Sequence, residues 1–563
     1  MSSGFCRWGW PPQNTCACRL SYTESRSPLT PLISIAGSAL RPSPPPPAAM
    51  PDALVSIAQH YHSRTKYDPE TLAVQAKPLD FSRQPSPYKT YRVGVEIDLK
   101  PYLDDENAAV GSDVADWMRL SRLLINAYGL TARFPTATGQ TFYLRSAPSA
   151  GGLYPAEIYI ISRGNRLLPA GLYNYQARSH TLWRYWDDHV WQGLQRACFW
   201  HPTLEATHLA LVVTGVFYRS AWRYQDRAYR RICLDTGHLL GNLELASALV
   251  DYRPHLIASF ADRAVADLLY LDPAEEGALA VLPLADLLTV EQNLPCAQVA
   301  FATPPQTQFA AVPDGELLGY FHQVTAIAPT VDAPNWAMRP TADTPQPADT
   351  LEDKYNLPFG LRVPTDSGAI AWGPHLEQLE TTLFKRRSTR RFTGGSLSLG
   401  TLKQLLDFTY QPHHYRDQGF DADPDYGCRA LVHTFVVACG VEGLDSGCYY
   451  YAPRSEELRQ VRFKSFRREL HYLCLGQELG RDAAAVVVHT ADLAAAVAAY
   501  GDRVYRYLHM DAGHLGQRLN LAAVRLGLGV SGVGGFYDDQ VNDVLGIPPD
   551  EAVIYITTLG QPG

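Results

Sequence analysis

The chain has 563 residues, of which 46% are hydrophobic and 19% are charged, and a formal net charge of −8. This length exceeds one ordinary core and predicts two domains, while the acidic balance argues against general nucleic-acid binding. No apolar run approaches the roughly 20 residues of a membrane helix. The ten cysteines include no C-x-x-C pair, which predicts reduced thiols in a cytoplasmic protein and no metal site.

The N-terminal stretch, residues 1–49, differs from the rest because it ends in the proline-rich run RPSPPPPA. Such a run cannot join a helix or a central strand, and no signal-peptide pattern accompanies it. We expect a disordered tail or a start codon assigned too early, followed by an N-terminal extension over residues 50–114.

A first domain is predicted over residues 115–285. The helix LSRLLINAY (120–128) precedes two apolar strands, EIYIIS (157–162) and LALVVTG (209–215), and a long helix over about 227–250 with leucines at helical spacing. Residues 286–379 are rich in proline and lack a clear period, which predicts a linker.

A second domain is predicted over residues 380–563, and it repeats the first. YQDRAYRRICLDTGHLLGNLELA (224–246) aligns with YGDRVYRYLHMDAGHLGQRLNLA (500–522), 276 positions later. A constant offset over about a hundred residues indicates two copies of one domain. Mixed helices and strands predict an α+β fold with a mostly antiparallel sheet, and two copies in one chain predict a fused pseudo-dimer.

The two copies differ at three places. PSAGGLYP (148–155) in the first copy becomes PDYGCRAL in the second, whereas KRRSTRRF (385–392) in the second copy faces LDDENAAV (103–110) in the first. GVGGF (532–536) in the second copy likewise corresponds to LIASF in the first. Two independent sites would not diverge in this reciprocal way, so we predict one composite site between the copies.

The retained residues suit a planar ligand that carries a phosphate. Small residues allow close backbone approach to a flat ring, and arginines supply charge-assisted donors to a phosphate. Flavin mononucleotide (FMN) is the simplest such cofactor. The candidate cofactor-binding residues are Pro148, Ser149, Ala150, Gly151, Arg386, Arg387, Ser388, Arg390, Gly534 and Gly535.

These motifs together resemble the SagB-type (SagB/ThcOx) dehydrogenases of the FMN-dependent nitroreductase superfamily, here in a tandem-domain form. The resemblance rests on RSAPSAGGLYP (145–155), the Y-x-D-R-x-Y-R helix and the R-R-S-x-R cluster, and it extends to YHSRTKYDPE (61–70) and LDFSRQPSPYKTY (79–91). It implies FMN at the interface between the copies, with the arginine cluster on the phosphate, the P-S-x-G loop on the ring and the G-G-F loop near the reactive nitrogen.

Family members include oxidases that convert peptide azolines into azoles. Those members carry Lys-Tyr before the G-D-R stretch, where this chain has Arg223-Tyr224 and Ala499-Tyr500. An arginine stays protonated and is a poor general base, which argues against the azoline reaction. Tyr224 and Tyr500 are candidate catalytic residues, with buried, hydrogen-bonded tyrosines as the alternative.

Other motifs invite structural interpretations. His238, His514, Asp235 and Asp511 recur in both copies, which favours packing roles for all four. GLGVSG (527–532) contains G-x-G-x-x-G but follows a helix, which does not fit a dinucleotide-binding motif. KRRSTRRF alone would also fit a solvated basic run.

The sequence therefore predicts an FMN-dependent dehydrogenase or oxidase with one FMN between the copies. Its substrate would be a small natural product or a modified peptide, and azoline oxidation remains within that class. One alternative is an NAD(P)H-dependent reductase of nitro compounds or quinones. Another is a non-catalytic scaffold subunit of a peptide-modification complex. No nucleic-acid or membrane partner is expected.

Overall fold

The computed structural model describes residues 55–70, 72, 78–103, 112–135, 141–290, 298–329 and 351–563. The predicted tail over residues 1–49 lies outside the described residues, as do residues 104–110 of the acidic stretch that corresponds to the arginine cluster. In the described part of the chain, no helix is both long enough and apolar enough to cross a membrane.

The first copy and the segments before it contain nine strands and six helices among the described residues. The strands are β1 Val95–Asp98, β2 Leu130–Pro135, β3 Thr141–Arg145, β4 Ala156–Ser162, β5 Gly171–Gln176, β6 Thr181–Trp186, β7 Leu209–Val216, β8 Tyr252–Pro254 and β9 Glu276–Asp286. The helices are α1 Ile57–Arg64, α2 Ser112–Tyr128, α3 Trp191–Ala197, α4 Phe217–Tyr224, α5 Ala228–Ala248 and α6 Asp262–Leu268.

The remaining described residues continue the series through the second copy. The strands are β10 Arg362–Pro364, β11 Leu397–Ser398, β12 His433–Ala438, β13 Val441–Glu442, β14 Gly447–Ala452, β15 Glu457–Phe463, β16 Ala485–Asp492, β17 Gly529–Val533 and β18 Glu551–Gly560. The helices are α7 Leu317–Val324, α8 Glu377–Lys385, α9 Leu399–Tyr410, α10 Arg467–Leu473, α11 Glu478–Asp482, α12 Leu493–Tyr500, α13 Val504–Arg525 and α14 Asp538–Leu545.

Two seven-stranded sheets form the scaffold, with the orders β1-β6-β5-β4-β7-β9-β8 and β10-β15-β14-β12-β16-β18-β17. Each pair of neighbouring strands within them is antiparallel. Every position in one order has its counterpart in the other, and helices flank both sheets. The predicted α+β fold with two copies of one domain is therefore confirmed.

Both sheets take an edge strand from the segment that precedes their copy. β1 lies in the predicted N-terminal extension and pairs with β6, with Val95 opposite Arg184. β10 lies in the predicted linker and pairs with β15, with Val363 opposite Leu458. Both segments thus contribute to the folded copies that follow them.

The long helices α5 and α13 pack against each other at the centre of the molecule, and each is buried along nearly its whole length. They meet at Gly237 and Gly513, which are 276 positions apart. A Cβ on Gly237 would overlap the carbonyl oxygen of Met510, and a Cβ on Gly513 would overlap that of Leu234. The repeated D-x-G-H motif therefore keeps a glycine because the two backbones touch there.

The arginines of the repeated Y-x-D-R-x-Y-R motif tie the copies together. Arg227 and Arg230 of the first copy each lie 2.7 Å from a different carboxylate oxygen of Asp538 in the second. Their counterparts Arg503 and Arg506 pair with Asp262 of the first copy in the same way. Because both aspartates accept from two cations, the cost of burying these charges is offset on both sides of the interface.

Helices α1 and α7 precede the two copies, and each binds the motif residues of the opposite copy. Ala58 N in α1 donates to Asp502 of the second copy at 2.9 Å, and Leu318 N in α7 donates to Asp226 of the first at 3.0 Å. The rings of Tyr61 and Phe321 stack where the two helices meet, 4.4 Å apart. The repeat therefore begins at these helices, in the sequences YHSRT (61–65) and FHQVT (321–325).

Candidate active site

The loop that follows β3 is fixed by one buried aspartate. Ser149 Oγ donates to Asp235 Oδ2 at 2.6 Å, and Ala150 N donates to Asp235 Oδ1 at 3.0 Å. Tyr154 N in turn donates to Ser149 Oγ at 2.8 Å, which closes the loop that begins at Pro148. Gly151 has a φ of +66°, a left-handed conformation that favours glycine.

Burial raises the pKa of Asp235 to about 7, although its hydrogen bonds to Ser149 and Ala150 oppose the shift. Asp511, its counterpart, binds the backbone N–H groups of Gly427 and Cys428 at 2.9 and 2.6 Å, and burial raises its pKa to about 6. Both aspartates thus hold a loop in place, which is the structural role predicted for them.

The arginine cluster of the second copy lies against the backbone that leads into this loop. Arg386 is only 3% exposed, and its Nε donates to the carbonyl oxygen of Ser146 at 2.5 Å. Arg387 Nη2 donates to the carbonyl oxygen of Thr131 at 2.7 Å. The structure therefore brings the predicted arginine cluster and the predicted small-residue loop together across the interface.

One nitrogen of this cluster lacks a partner. Arg386 Nη1 is buried and has no hydrogen-bond acceptor among the described residues. Burial, followed by the neighbouring charges of Arg387 and Arg390, lowers the pKa of Arg386 to about 10. A guanidinium in this position is suited to an anionic ligand, because a buried cation without an anion is costly.

The rest of the cluster continues from Arg386 along the second copy. Ser388 is half-buried, Arg390 is exposed, and Thr389 N between them donates to the carbonyl oxygen of Val530 in β17 at 2.8 Å. Gly563 N donates to the carbonyl oxygen of Arg391 at 3.0 Å, so residues after β18 pack on this segment as well.

The glycine pair after β17 faces the first copy. A Cβ on Gly534 would overlap Nη1 of Arg231, which extends from α5, and a Cβ on Gly535 would lie 3.0 Å from Leu475 Cδ1. Any larger residue at position 534 would therefore displace Arg231, so the pair allows this guanidinium to reach the second copy's backbone.

The structure places the two candidate tyrosines differently. Tyr224 is half-buried, and its hydroxyl lies 2.8 Å from the position that a Cβ on Gly151 would take. Tyr500 is 5% exposed in the hydrophobic core, and its carbonyl oxygen accepts from Thr303 N at 3.0 Å. Tyr224 joins the composite site, whereas Tyr500 lies in the equivalent position of the other copy.

Helix α5 contributes three residues to this site that the sequence analysis did not place there. Arg231, Asp235 and His238 follow one another at spacings of four and three, which puts them on one helix face. His238 Nε2 lies 2.8 Å from the hydroxyl of Tyr555 in β18, and burial lowers the pKa of His238 to about 3. The sequence does contain a sign of Arg231, because the equivalent position of the second copy holds Tyr507 and the two copies differ there.

These residues fit a planar ligand with an anionic tail. The described residues supply a buried guanidinium nitrogen without an acceptor, a rigid loop of small residues and a second close approach of backbone at Gly534. Backbone N–H groups and arginines can hold a phosphate, while the small residues leave space for a ring.

Beside the equivalent loop of the second copy, protein side chains contact one another. Glu244 accepts from Arg518 Nη1 at 2.9 Å and lies 3.3 Å from His514 Nε2. The ring of Tyr426 stacks on His514 at 4.5 Å, where the first copy has a small residue. A cavity of about 20 Å³ lined by these elements remains, which holds about one water molecule.

The fold and the site define a tandem pseudo-dimer with a cation-lined site between its copies. The chain belongs to the nitroreductase family: the model described as "Nitroreductase family" matches residues 119–285 and 383–561, which together exceed half of the chain. The resemblance to tandem nitroreductase-superfamily domains is thereby confirmed.

Individual relatives share this relationship. This chain is similar to a candidate nitroreductase from Anabaena variabilis whose crystal structure is known. The two sequences are 62% identical, and the match covers 90% of this chain and 100% of the other, with a TM-score of 0.84. MJ1384 of Methanocaldococcus jannaschii, described as a candidate nitroreductase, is 33% identical over 31% of this chain and 88% of its own length. The trifolitoxin-processing protein TfxB of Rhizobium leguminosarum is 32% identical over 25% of this chain and 39% of its own.

Proposed function

We propose that this chain is an FMN-dependent oxidoreductase of the SagB type, which binds one FMN between its copies and dehydrogenates a natural product or a modified peptide. The observation that carries the proposal is the buried Arg386 guanidinium, whose Nη1 has no partner among the described residues. It lies beside the backbone that leads into the Ser149–Gly151 loop of the opposite copy.

The chain's own residues would hold the cofactor from both sides. Backbone carbonyls fix Arg386 and Arg387, so their remaining N–H groups are oriented before the phosphate arrives. Asp235 fixes the Ser149 and Ala150 end of the loop, so little conformational entropy is lost when a ring packs there. The half-buried Ser388 and the exposed Arg390 would complete the phosphate contacts.

When bound, FMN supplies a two-electron acceptor for a substrate C–H bond, with dioxygen as the final oxidant in this proposal. The Tyr224 hydroxyl, beside Gly151, is placed to exchange a proton with the substrate. Arg223 occupies the position of the lysine in azole-forming relatives. Because its guanidinium stays protonated, it can orient a substrate but not act as a base, which makes azoline oxidation the weaker version of the proposal.

The similarity to TfxB, whose name describes trifolitoxin processing, supports a natural-product substrate. The similarity to MJ1384, described as a candidate nitroreductase, favours the second candidate, an NAD(P)H-dependent reductase of nitro compounds or quinones. We propose a cytoplasmic location, which the buried free thiols of Cys233, Cys428 and Cys474 support.

The test is the visible absorbance of the purified chain, with released FMN counted per polypeptide. We expect one FMN per chain and little bleaching by anaerobic NADPH, whereas rapid bleaching would favour the reductase. Two FMN per chain would contradict a single composite site. No FMN, even after its addition, would overturn the proposal and favour a scaffold subunit.

Three variants sharpen this measurement. Gly151→Trp and Arg387→Ala should each abolish FMN binding, because they fill the loop cradle and remove a phosphate donor. Arg391→Ala is the matched control within the same basic run, because the Arg391 side chain packs against Gly563. FMN retained by Gly151→Trp would place the ring elsewhere.

A further inference from the structure

Arg231 is a buried cation without a hydrogen-bonded or ion-paired carboxylate among the described residues. It is 7% exposed, its Nε is buried without an acceptor, and no hydrogen bond or ion pair joins it to a carboxylate in the described part of the chain. Its guanidinium instead lies over the ring of Tyr224, 3.8 Å from the centroid. A cation–π contact recovers only part of the hydration that a buried guanidinium loses.

The charge of Arg231 favours the ionised form of nearby Asp235, but no ion pair or hydrogen bond joins the two side chains. Its two carboxylate oxygens accept from Ser149 and Ala150, and its raised pKa of about 7 reduces its charge near neutral pH. Arg231 therefore faces the backbone of Gly534, and its N–H groups have no carboxylate acceptor among the described residues.

A second cation lies near the same ring. The Arg223 guanidinium is 5.6 Å from the Tyr224 centroid, and its Nη1 lies 3.5 Å from the position that a Cβ on Gly151 would take. Arg223 is exposed, whereas Arg231 is buried. One guanidinium thus lies beside the small-residue loop and the other beside the glycine pair.

The second copy shows that the fold does not require these cations. The counterpart of Arg223 is Ala499, and the counterpart of Arg231 is Tyr507, whose hydroxyl lies 3.0 Å from Ser259 Oγ. The cations occur on the side where the composite site lies, while Arg386 and Arg387 already serve the part of that site beside Ser146 and Thr131. A second anionic group is therefore needed near Gly534.

We propose that Arg231, assisted by Arg223, binds a carboxylate of the substrate, so that the enzyme acts on carboxylate-bearing compounds. This inference rests on the proposed function and specifies its substrate class. The planar fork of Arg231 matches a carboxylate through two parallel hydrogen bonds. For a peptide substrate, the group would be the C-terminal carboxylate or an acidic side chain near the oxidised carbon.

The test compares benzoate with benzamide, which have the same shape but differ in charge. Binding is measured by calorimetry and, in the flavin-loaded chain, by the change in flavin absorbance. We expect benzoate to bind at least tenfold more tightly than benzamide. Arg231→Met should remove this preference, Arg223→Ala should reduce it, and the exposed Arg416→Met should leave it unchanged.

Equal binding of benzoate and benzamide by the native chain would overturn the inference. So would an Arg231→Met variant that keeps the preference for benzoate. If Arg231→Met releases FMN and the native chain shows no preference, the cation serves the cofactor and not the substrate. Should the native chain bind no FMN, the proposed function fails, yet calorimetry still decides whether Arg231 and Arg223 form a carboxylate site.

Discussion

The two interdomain sites of this molecule have the same scaffold and opposite contents. On one side, Ser149 and Ala150 bind Asp235, and two arginines from different copies, Arg231 and Arg386, retain guanidinium nitrogens without acceptors among the described residues. On the other side, the loop binds Asp511 in the same way, but Glu244 neutralises Arg518. The loop anchor is thus a property of the fold, whereas a buried arginine without a carboxylate partner, Arg231, occurs on one side and an Arg518–Glu244 ion pair on the other.

The difference between the two sites indicates how a duplicated interface can lose a ligand without losing stability. In the filled site, ion pairs and an aromatic stack replace the contacts that a ligand would make, so that Glu244 has both Arg518 and His514 as partners. In the composite site, Arg231 and Arg386 retain nitrogens without an acceptor among the described residues, which an external anion could bind. Substitutions in the two sites should therefore have different effects on stability and on FMN binding.

The largest effect is expected for Arg518→Met in the filled site. The Arg518 side chain is fully buried, and its loss leaves the Glu244 carboxylate without its strongest partner. Breaking a buried pair in this way lowers the free energy of unfolding by about 3–5 kcal/mol. Urea denaturation should report this loss, while the FMN content per chain stays unchanged.

A double variant separates charge from packing at the same place. Glu244→Gln combined with Arg518→Met removes both charges and should recover much of the lost stability. If Arg518→Met instead lowers the FMN content of a still-folded chain, the filled site takes part in cofactor binding and the comparison fails.

The next largest effect is expected for Arg386→Met in the composite site. This change removes charge-assisted donors to the phosphate, each contributing about 1.5–3 kcal/mol, so the Kd for FMN should rise about 100-fold. Equilibrium fluorescence titration measures this change directly. Arg386→Met should cost the flavin-free chain less stability than Arg518→Met costs, because Arg386 has no carboxylate partner in the part of the chain that the structure describes. Equal stability losses with unchanged FMN affinity would contradict the assignment.

The smallest effect is a pH dependence that differs between the two loop anchors. Asp235, with its pKa raised to about 7, keeps a proton in the folded chain that it loses on unfolding, so stability falls as pH rises from about 4 to 7. One such proton contributes at most about 1.4 kcal/mol per pH unit. Asp235→Asn should remove this slope in urea denaturation measured from pH 5 to 8.

Asp511→Asn is the matched change in the other loop. The contribution of Asp511 to the pH dependence of stability should end near pH 6, where its raised pKa lies. The free energies of unfolding of the two variants should therefore differ most in their pH dependence between pH 6 and 7. Identical profiles for the native chain and for Asp235→Asn would show that Asp235 is ionised throughout this range.

Much of the fold follows from the sequence, because the repeat and the apolar strands carry a strong pattern. The constant 276-residue offset predicts two equivalent domains, and the 7-stranded sheets agree with each other strand by strand. The edge strands β1 and β10 were not predicted. They are short, mostly exposed and positioned by pairing with distant strands, so local pattern gives little sign of them.

The composite site was predicted from what each copy lacks, and the structure brings Arg386 and Arg387 to the loop of the first copy. The roles of Arg231 and Tyr555 were missed. Both lie inside regular elements, where a polar residue is indistinguishable from a surface position until its neighbours are known. Their significance depends on contacts across the interface, which are long-range in sequence and have no spacing rule.

The reciprocal contacts of α1 and α7 have a consequence for the order in which the molecule can be assembled. Ala58 binds Asp502, a residue 444 positions later in the chain. At a synthesis rate of about 5–20 residues per second, roughly 20–90 s separate the appearance of the two residues. An eight-residue helix is only marginally stable by itself in water. Helix α1 is thus synthesised early but reaches its binding partner only after most of the second copy has been made, so the first copy cannot complete its contacts before the second is present.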